Sequence, residues 1–503
     1  MKPVLASPRA APALAFAAGA LTVAGYAPLA VFPLPFVTLA GLMLLWRRAE
    51  NPRGAFRTGF AFGAGLFGAG VSWVYVSLHD FGFMPAPVAA LATLLFCAVL
   101  ALYPAAAGWC FARLRQDRRV SALIAFPALW TLSEWLRGWL FTGFPWLSVG
   151  YSQTDTPLAG FAPVLGVFGM SFMTAFCAGL LCLALSGSGR ARIASAAAFA
   201  LVLGFGYLLQ QISWTSPLGN SVRVALLQGN VPQDLKFQAE RYAATLATYR
   251  RLIAGADAQF IVLPETAIPR FLDAVDPRYL QEIARIASDR GADLVIGVPA
   301  RDGEGRFFNS VVSMGASPTQ RYDKSHLVPF GEFVPPGFGW IVKVLSIPLS
   351  DFSPGPQNPK PLALAGQLVA PDICYEDAFG EEIIRQLPQA TLLVNVSNVA
   401  WFGDSLAPAQ HLQMSRVRAM ETGRTMLRAT NTGVTAIVDP RGKVVASLPQ
   451  FAEGVLQGEV RGYGGASPYV RYGNYPIVLV CTALLAALAF YRRRAVGAGS
   501  ESR

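Results

Sequence analysis

Residues 369–383, VAPDICYEDAFGEEI, run from an apolar, strand-like segment through a cysteine into an acidic, helix-like stretch. A fold presents a nucleophile in this way: at a strand end, on a sharp turn, beside a helix start that favours negative charge. The position is distinctive, because Cys374 is the only cysteine between residues 212 and 474. The others lie in long apolar runs, at Cys97, Cys110, Cys177, Cys182 and Cys481. The segment therefore predicts a strand of an α/β domain and a candidate nucleophile at Cys374.

The sequence around this segment, residues 220–460, alternates strand-like and helix-like stretches. Strands are predicted at 222–228, 260–265, 293–300, 309–315, 368–376, 391–398, 426–433 and 434–440, and helices at 237–255, 277–290, 377–387 and 409–424. The strands are rich in Val, Ile and Leu with weak alternation, which is expected when both faces are covered. The pattern predicts an α/β or mixed-sheet domain. It contains neither a glycine-rich phosphate loop nor the Cys/His spacing of a metal site, so no cofactor or metal is expected.

The chain as a whole has the composition of a membrane protein. Of its 503 residues, 53% are hydrophobic and only 14% are charged, whereas an ordinary soluble domain carries about 25% charged residues. The formal net charge of +11 does not indicate a nucleic-acid partner, because no basic stripe with interleaved aromatics occurs. The basic residues form short clusters between apolar runs, as in cytoplasmic loops. We therefore expect the lipid bilayer, and no nucleic acid, as a partner.

Eight apolar runs approach the roughly 20 residues that a helix needs to cross a bilayer. They are residues 10–26, 28–46, 57–78, 86–112, 120–140, 159–186, 192–211 and 475–491. Every second connecting loop is basic, which by the positive-inside rule predicts cytoplasmic termini and an outer-side catalytic region. The predicted domains are seven membrane helices in 1–211, a periplasmic catalytic domain in 212–470, and a last membrane helix with a basic tail in 471–503.

The N-terminus allows a second interpretation. Residues 1–27 have the basic start, apolar stretch and small residues of a cleaved signal peptide. Cleavage would leave seven spans and place the new N-terminus outside. Retention is preferred, because apolar sequence continues almost directly into the second run.

Cys374 needs activation, because a thiol at its ordinary pKa of about 8.5 is only a few per cent thiolate at neutral pH. A lysine ammonium about 4 Å away would lower that pKa by roughly 3 at an effective dielectric of 20. Two residues are placed to act on Cys374: Glu265 ends the segment FIVLPE, and Lys324 lies in RYDKSHLVPFGEFVP. We expect Glu265, Lys324 and Cys374 to form one site.

Three motifs, LPE at 263–265, YDKSHLVPFGE at 322–332 and ICYE at 373–376, resemble the Glu-Lys-Cys triad of the nitrilase (carbon–nitrogen hydrolase) superfamily. Further motifs resemble its membrane-embedded branch, the apolipoprotein N-acyltransferases: EWLRGWLFTGFPWLSVGYSQ (134–153), QGNVPQDLK (228–236), NVSNVAWFG (395–403) and HLQMSRVRAMETGRTMLRATNTG (411–433). The resemblance covers nearly the whole chain. It implies a nitrilase-like αββα sandwich attached to a membrane domain of about eight helices.

The resemblance also implies an acyl transfer in two steps. Glu265 would act as the general base, Cys374 would attack an acyl ester of a membrane phospholipid, and Lys324 would stabilise the oxyanion. The thioester would then pass its acyl chain to the α-amino group of a diacylglyceryl-cysteine at the N-terminus of an apolipoprotein. The implied location is the bacterial inner membrane, with the catalytic domain on the periplasmic side.

Supporting roles are expected for residues beside the triad. Glu332 is expected to orient Lys324 or the incoming amine; the alternative is a loop carboxylate that accepts backbone N–H bonds. Glu376 fits a similar role and fits equally well as a helix-start carboxylate. Tyr375 is expected to contribute packing.

Apolar residues supply further candidates for lipid binding. Trp401 and Phe402 are expected to shape an acyl-chain pocket or to be core aromatics. The segment FGWIVKVLSIPL (338–349), with Trp340 and Ile341, predicts a lid that dips into the membrane; the alternative is a buried helix. Two positions depart from the family pattern: Val399 replaces an aspartate and Phe237 replaces a tryptophan.

Two other classes of function stay open. One is a membrane-tethered amidase or nitrilase that uses the same triad with water as acceptor, although a tether needs fewer helices. The other is a non-catalytic lipid-binding or transport protein, although the triad is intact in the sequence.

Overall fold

The computed structural model describes residues 10–335 and 351–500 of the chain. The described residues fall into two compact units. The first comprises the residues up to Tyr75, Ala86–Ile212 and those from Tyr472 onward, and the second comprises Val76–Pro85 and Ser213–Arg471. All three residues of the predicted triad belong to the second unit.

The first unit is helical. Its longer helices are Ala10–Thr22, Leu34–Arg48, Pro52–Gly70, Ala86–Leu114, Phe126–Arg137, Ala162–Ser186, Gly189–Gln210 and Tyr475–Ser500. Each of these helices overlaps one of the predicted apolar runs. The apolar pattern therefore located the helices of this unit.

The described residues support part of the expected set of about eight membrane-spanning helices. In the described part of the chain, 4 helices are long and apolar enough to cross a membrane: Ala86–Leu114, Pro157–Ser186, Gly189–Gln210 and Tyr475–Arg492. The number rises to 5 if Pro52–Gly70 and Val74–Phe81, which are bent by 56°, form one broken span. Ala10–Gly25 is apolar but shorter.

Helix breakers explain why the first two predicted runs give short helices. The first helix ends in a 3-10 turn at Val23–Gly25, and the next begins only at Leu34. Prolines at 28 and 33 lie between them, and proline lacks the N–H that a helix interior needs. By contrast, the helix Phe126–Arg137 continues without a break from Arg118–Val120 through a π-helical turn at Ser121–Ala125, and it ends before Gly138. An apolar run therefore fixed where a helix lies but not how long it is.

The described part of the second unit contains two 6-stranded sheets. The strands are β1 (Thr215–Gln228), β2 (Phe260–Val262), β3 (Asp293–Arg301), β4 (Phe307–Gly315), β5 (Arg321–Asp323), β6 (Leu362–Leu364), β7 (Gln367–Ile373), β8 (Leu392–Ser397), β9 (Thr425–Thr430), β10 (Ala436–Val438), β11 (Val444–Ser447) and β12 (Gly454–Gly465). The strand orders are β12-β1-β2-β3-β4-β5 and β11-β10-β9-β8-β7-β6. Strands β1, β2 and β3 are parallel, as are β7, β8 and β9, so the carboxyl ends in each set share an edge.

The two sheets pack face to face. Val224 and Leu226 of β1 contribute to a core shared with Val394 of β8, whereas Ala225 of β1 faces the helices outside the first sheet. The longer helices are Ala239–Gly255, Pro277–Ser288 and Ala407–Thr422. The first two cover one sheet and the third covers the other. This arrangement confirms the predicted αββα sandwich.

Each predicted strand corresponds to an observed one, but four short or terminal strands were not predicted: β5, β6, β11 and β12. The single helix predicted at 377–387 is wrong. The chain instead forms short turns at Cys374–Ala378, Gly380–Ile383 and Ile384–Gln386. Phe379 interrupts them with φ −108° and ψ 84°, which is not helical.

Candidate active site

The three residues of the predicted triad follow strand ends and lie in one site. Glu265 comes three residues after β2, Lys324 directly follows β5, and Cys374 directly follows β7. The Lys324 Nζ lies 4.0 Å from Glu265 Oε1. The charges of both residues act on the thiol of Cys374. The structure therefore brings together side chains that are far apart in the sequence.

Both carboxylate oxygens of Glu265 accept a hydrogen bond. Oε1 accepts one from Asn309 Nδ2 at 2.7 Å, and Oε2 accepts one from the backbone N–H of Asn398 at 2.7 Å. Asn309 lies on β4 and Asn398 directly follows β8, so the carboxylate is held from both sheets. A buried carboxylate with this set of donors has a defined orientation, as a general base requires.

Lys324 is paired with Glu332. This pairing fits the first of the two roles expected for Glu332, which is to orient Lys324. Lys324 Nζ lies 2.9 Å from Glu332 Oε1 and 2.8 Å from its Oε2, and only 1% of the lysine side chain is exposed. Burial alone would lower the pKa of Lys324, but Glu332 and then Glu265 outweigh burial and raise it. Lys324 is therefore a permanent cation, which suits it to stabilise an oxyanion.

Cys374 occupies a strained turn. Its φ is +56°, in the left-handed region that is uncommon for residues other than glycine. Its carbonyl oxygen accepts a hydrogen bond from Asn395 Nδ2 at 3.1 Å and another from His411 Nε2 at 3.1 Å. These two hydrogen bonds fix the backbone carbonyl of Cys374, and they stabilise a backbone conformation that would otherwise be disfavoured.

The expected effect of lysine on the thiol requires correction. Burial, and next the charge of Glu265, raise the pKa of Cys374 well above its ordinary value. The charge of Lys324 lowers that pKa but does not compensate. The sequence argument counted one cation and neither burial nor the carboxylates. Cys374 is consequently a thiol at rest, and it needs a base at the moment of attack.

Glu376 connects the turn of Cys374 to the loop of Lys324. Its Oε1 accepts hydrogen bonds from the backbone N–H of Ser325 at 2.7 Å and of His326 at 3.0 Å. Its Oε2 accepts hydrogen bonds from Tyr322 Oη at 2.8 Å and from the backbone N–H of Ile373 at 2.7 Å. With both oxygens occupied in this way, Glu376 positions the nucleophile and the lysine loop.

The other predicted residues lie around this site or outside the described part. Tyr375 is buried and packs edge-on against Phe379, with ring centroids 4.9 Å apart. Trp401 packs edge-on against Phe81 at 6.4 Å, and its backbone carbonyl accepts a hydrogen bond from Ser77. Phe402 is partly exposed. Trp340 and Ile341, the predicted lid, fall outside the described residues.

Sequence reasoning missed a buried polar network behind the nucleophile. His411 Nε2 donates to Asp377 Oδ1 at 2.6 Å, and Arg428 donates to Asp377 Oδ2 at 3.0 Å and to Asn395 Oδ1 at 2.7 Å. All four side chains are buried. The sequence signal was present: each lies in a motif that was quoted as a whole, and charged residues are rarely fully buried unless paired.

A second lysine, Lys236, was also missed. It ends the QGNVPQDLK segment, is 2% exposed, and donates a hydrogen bond to the backbone carbonyl of Glu265 at 3.3 Å. Burial lowers the pKa of Lys236 to about 8, although Glu265 and Cys374 act in the opposite direction. The neighbouring Phe237, one of the two departures from the family pattern, is 49% exposed, whereas Val399, the other departure, is buried.

The residues described here make no candidate metal centre: within 10–335 and 351–500, no group of three or more His, Cys, Asp or Glu side chains is arranged to hold a metal ion. The chemistry that the site offers is that of a thiol, a positioned carboxylate and a fixed ammonium. These groups suit covalent acyl transfer through cysteine.

Comparison with known proteins gives the same picture over nearly the whole chain. Residues 18–180 match the family described as the apolipoprotein N-acyltransferase N-terminal domain, and residues 223–468 match carbon-nitrogen hydrolase. An apolipoprotein N-acyltransferase of Nitrosomonas europaea is 53% identical over 95% of this chain and 98% of its own length. One of Ralstonia nicotianae is 47% identical over 98% of this chain and 96% of its own length.

Among solved structures, an amidase of the nitrilase superfamily from Nesterenkonia is similar over 52% of this chain and 97% of its own, with 20% identity and a TM-score of 0.39. The match to the apolipoprotein N-acyltransferases covers both units and exceeds half identity in one relative. The chain therefore belongs to the apolipoprotein N-acyltransferase family of the carbon-nitrogen hydrolases.

Proposed function

We propose that this membrane protein transfers a fatty acyl chain from a phospholipid, through a thioester on Cys374, to the α-amino group of an apolipoprotein. The observation that carries the proposal is the convergence of Glu265, Lys324 and Cys374 in one buried site of a chain from this family. The proposed acceptor is the diacylglyceryl-cysteine at the apolipoprotein N-terminus. The relatives are named for lipoprotein N-acylation, which supports this acceptor class.

In the first step, Cys374 Sγ attacks the ester carbonyl of the phospholipid while Glu265 accepts the thiol proton. Negative charge then develops on the carbonyl oxygen, where the ammonium of Lys324 stabilises it. The bond between the carbonyl carbon and the glycerol oxygen breaks, and Glu265 returns the proton to that oxygen. The products are a thioester on Cys374 and a lysophospholipid.

In the second step, the acceptor's neutral α-amino nitrogen attacks the thioester carbonyl. Lys324 stabilises the oxyanion again, Glu265 accepts a proton from the nitrogen, and the thiolate of Cys374 leaves. Transfer of that proton to the thiolate restores the thiol. The acyl chain ends in an amide bond, and no net proton is gained or lost by the enzyme.

We further propose the inner membrane as the location, with the catalytic residues 212–470 on the periplasmic side and membrane helices in 1–211 and 471–503. The basic loops at alternate apolar runs support this orientation. The apolar helices support a location of the chain in the same membrane as the proposed phospholipid donor. One proposed substrate is a membrane lipid and the other carries a diacylglyceryl anchor, so neither needs to leave the bilayer to react.

The test is mass spectrometry of the Cys374 peptide from protein purified with and without added phospholipid. We expect a fatty-acyl mass on Cys374 that disappears when a diacylglyceryl-cysteine peptide is added. The variant Cys374→Ser should carry no thioester. Cys110→Ser, which alters another partly exposed cysteine, should behave like the unaltered protein.

Two outcomes would contradict the proposal. Clearance of the acyl-enzyme by water alone, with no transfer to the peptide, would indicate a tethered hydrolase. Absence of any acyl group on Cys374 in folded protein supplied with phospholipid would remove the thioester mechanism.

A further inference from the structure

The turn after β1 contacts Glu265 directly through one residue and indirectly, through Asn398, by another. Lys236 Nζ donates to the backbone carbonyl of Glu265 at 3.3 Å. Gln233, three residues earlier, accepts a hydrogen bond from Asn398 Nδ2 at 2.8 Å, and the backbone N–H of Asn398 is the donor to Glu265 Oε2. Lys236 therefore lies against the backbone of the proposed base, while Gln233 braces the residue that binds its carboxylate.

The charges of the site make a second cation useful. Glu265 and Glu332 supply two carboxylates, whereas Lys324 supplies one ammonium, so these three residues alone leave one net negative charge. The thiolate or the oxyanion adds another negative charge in the same buried region. Such a charge is costly without a compensating cation, because water is largely excluded.

We propose that Lys236 is a second lysine cation of the active site, in addition to Lys324: it positions Glu265 through the backbone carbonyl, and its charge favours negative charge on Cys374 during acylation. Lys236 is thus a positioning residue of the proposed acyl transfer, on which this inference rests. Its ammonium is buried beside Glu265 and close enough to Cys374 for the two charges to interact.

Burial of Lys236 makes the stability of the fold depend on pH in a way that distinguishes a functional role of this lysine from a stabilising one. The pKa of Lys236 is lowered from 10.5 to about 8 in the folded protein, chiefly by burial. The folded state therefore binds the proton less tightly than the unfolded state, so the charged lysine disfavours folding at neutral pH. This cost is removed as pH rises from about 8 to 10.5. The titratable groups that act on Lys236 are the carboxylate of Glu265 and the thiol of Cys374, of which only the carboxylate is charged at rest.

The experiment compares Lys236→Met, which removes the charge at similar size, with Lys236→Arg, which keeps a charge. Lys443→Met, at an exposed lysine, is the matched control. The first readout is the rate of Cys374 alkylation by iodoacetamide against pH, without lipid. We expect Lys236→Met to slow alkylation at pH 8 by about 10- to 100-fold, the size of one nearby charge. Lys236→Arg should retain more of the rate.

The second readout is acyl-enzyme formation from phospholipid, which we expect to fall in parallel in Lys236→Met. The third is the apparent melting temperature. At pH 7, the melting temperature of Lys236→Met should be no lower than that of the unaltered protein. Between pH 8 and pH 10.5, the melting temperature of the unaltered protein should rise relative to that of the variant.

Unchanged alkylation and acylation in Lys236→Met would overturn the proposal. So would a lower melting temperature together with equal loss in the Met and Arg variants, since that result describes a structural contact alone. If the unaltered protein forms no acyl-enzyme while alkylation still depends on Lys236, the proposed acyl transfer fails and the effect of Lys236 on Cys374 stands.

Discussion

Two regions of the second unit place a lysine beside the same residue, Glu265, one at its backbone carbonyl and one at its carboxylate. The turn after β1 carries Lys236 and the loop after β5 carries Lys324, and their exposed fractions are 2% and 1%. Yet the pKa of Lys236 is lowered to about 8, whereas that of Lys324 is raised. The difference is Glu332, which lies 2.8 Å from Lys324.

Burial alone therefore does not decide the charge state of an active-site lysine. Desolvation acts on both residues in the same direction, and a directly paired carboxylate reverses its effect in one of them. Lys324 holds its proton more tightly than a free lysine, because Glu332 and Glu265 raise its pKa. Lys236 is charged at neutral pH but loses its proton in mildly alkaline solution. The predictions that follow test this difference between the two lysines.

The largest effect is expected from Lys324→Met. The change removes the oxyanion's cation and leaves Glu332 and Glu265 buried without it. We expect acyl-enzyme formation to fall by about 1000-fold or more. The free energy of unfolding should fall by about 3–5 kcal/mol, as when one partner of a buried pair is removed.

Single-turnover acylation and thermal melting measure these two quantities, with the exposed Lys443→Met as control. Retention of acylation within about tenfold would contradict the oxyanion role that the mechanism assigns to Lys324. Stability above that of the unaltered protein would contradict the pairing with Glu332.

An intermediate effect is expected from Glu332→Gln, which makes the surroundings of Lys324 more like those of Lys236. The neutral amide no longer supports the ammonium, so the pKa of Lys324 should fall. We expect acylation to be about 10- to 100-fold slower near neutral pH. The rate should fall further as pH rises, because an uncharged lysine stabilises an oxyanion poorly.

The measurement is the acylation rate from pH 7 to pH 10 in Glu332→Gln and in the unaltered protein. Parallel profiles would mean that Glu332 does not control the charge of Lys324. If the acylation rate declines at alkaline pH in the variant and not in the unaltered protein, Glu332 is the cause of the difference between Lys324 and Lys236.

The smallest effect is expected from Gly297→Ala, which disturbs Glu265 without altering any charge. A Cβ at Gly297 would lie 2.4 Å from the carbonyl oxygen of Pro264 and 2.6 Å from the Cα of Glu265. The backbone of Glu265 must move, so we expect acylation to fall by about tenfold. The free energy of unfolding should fall by about 1–3 kcal/mol.

Gly255→Ala is the matched control for this test, because a Cβ there meets nothing within 4 Å. It should leave acylation and melting temperature unchanged. Equal behaviour of the two alanine variants would show that the close contact at Gly297 does not position Glu265.

Local sequence pattern was sufficient for the longer elements and for the members of the triad. Apolar runs located β3, β8 and the second half of β1 because these segments are almost entirely buried and consist mainly of apolar residues. Cys374 and Glu265 were found because each follows such a run. The short strands β5 and β6 were missed, since a stretch of three residues without a longer apolar run around it carries no distinct period.

Fewer than eight helices among the described residues reach the length and apolar content of a membrane span, for a related reason. Apolar content was read from windows of about 20 residues, but proline and glycine end helices inside such windows. The proposed lid at Trp340 and Ile341 stays a prediction, as do the acyl-pocket roles of Trp401 and Phe402.

The sequence by itself determined the membrane character, the α/β class of the catalytic region, and the identity of a cysteine, a lysine and a glutamate with complementary chemistry. Only the tertiary structure decided their charge states and supporting contacts. The structure shows that Glu376 connects two loops, that the pKa of the Cys374 thiol is raised, and that Lys236 lies in the site. The physical reason is that composition and period are local properties. Desolvation and charge pairing instead depend on which strand ends the fold brings within a few ångströms of one another.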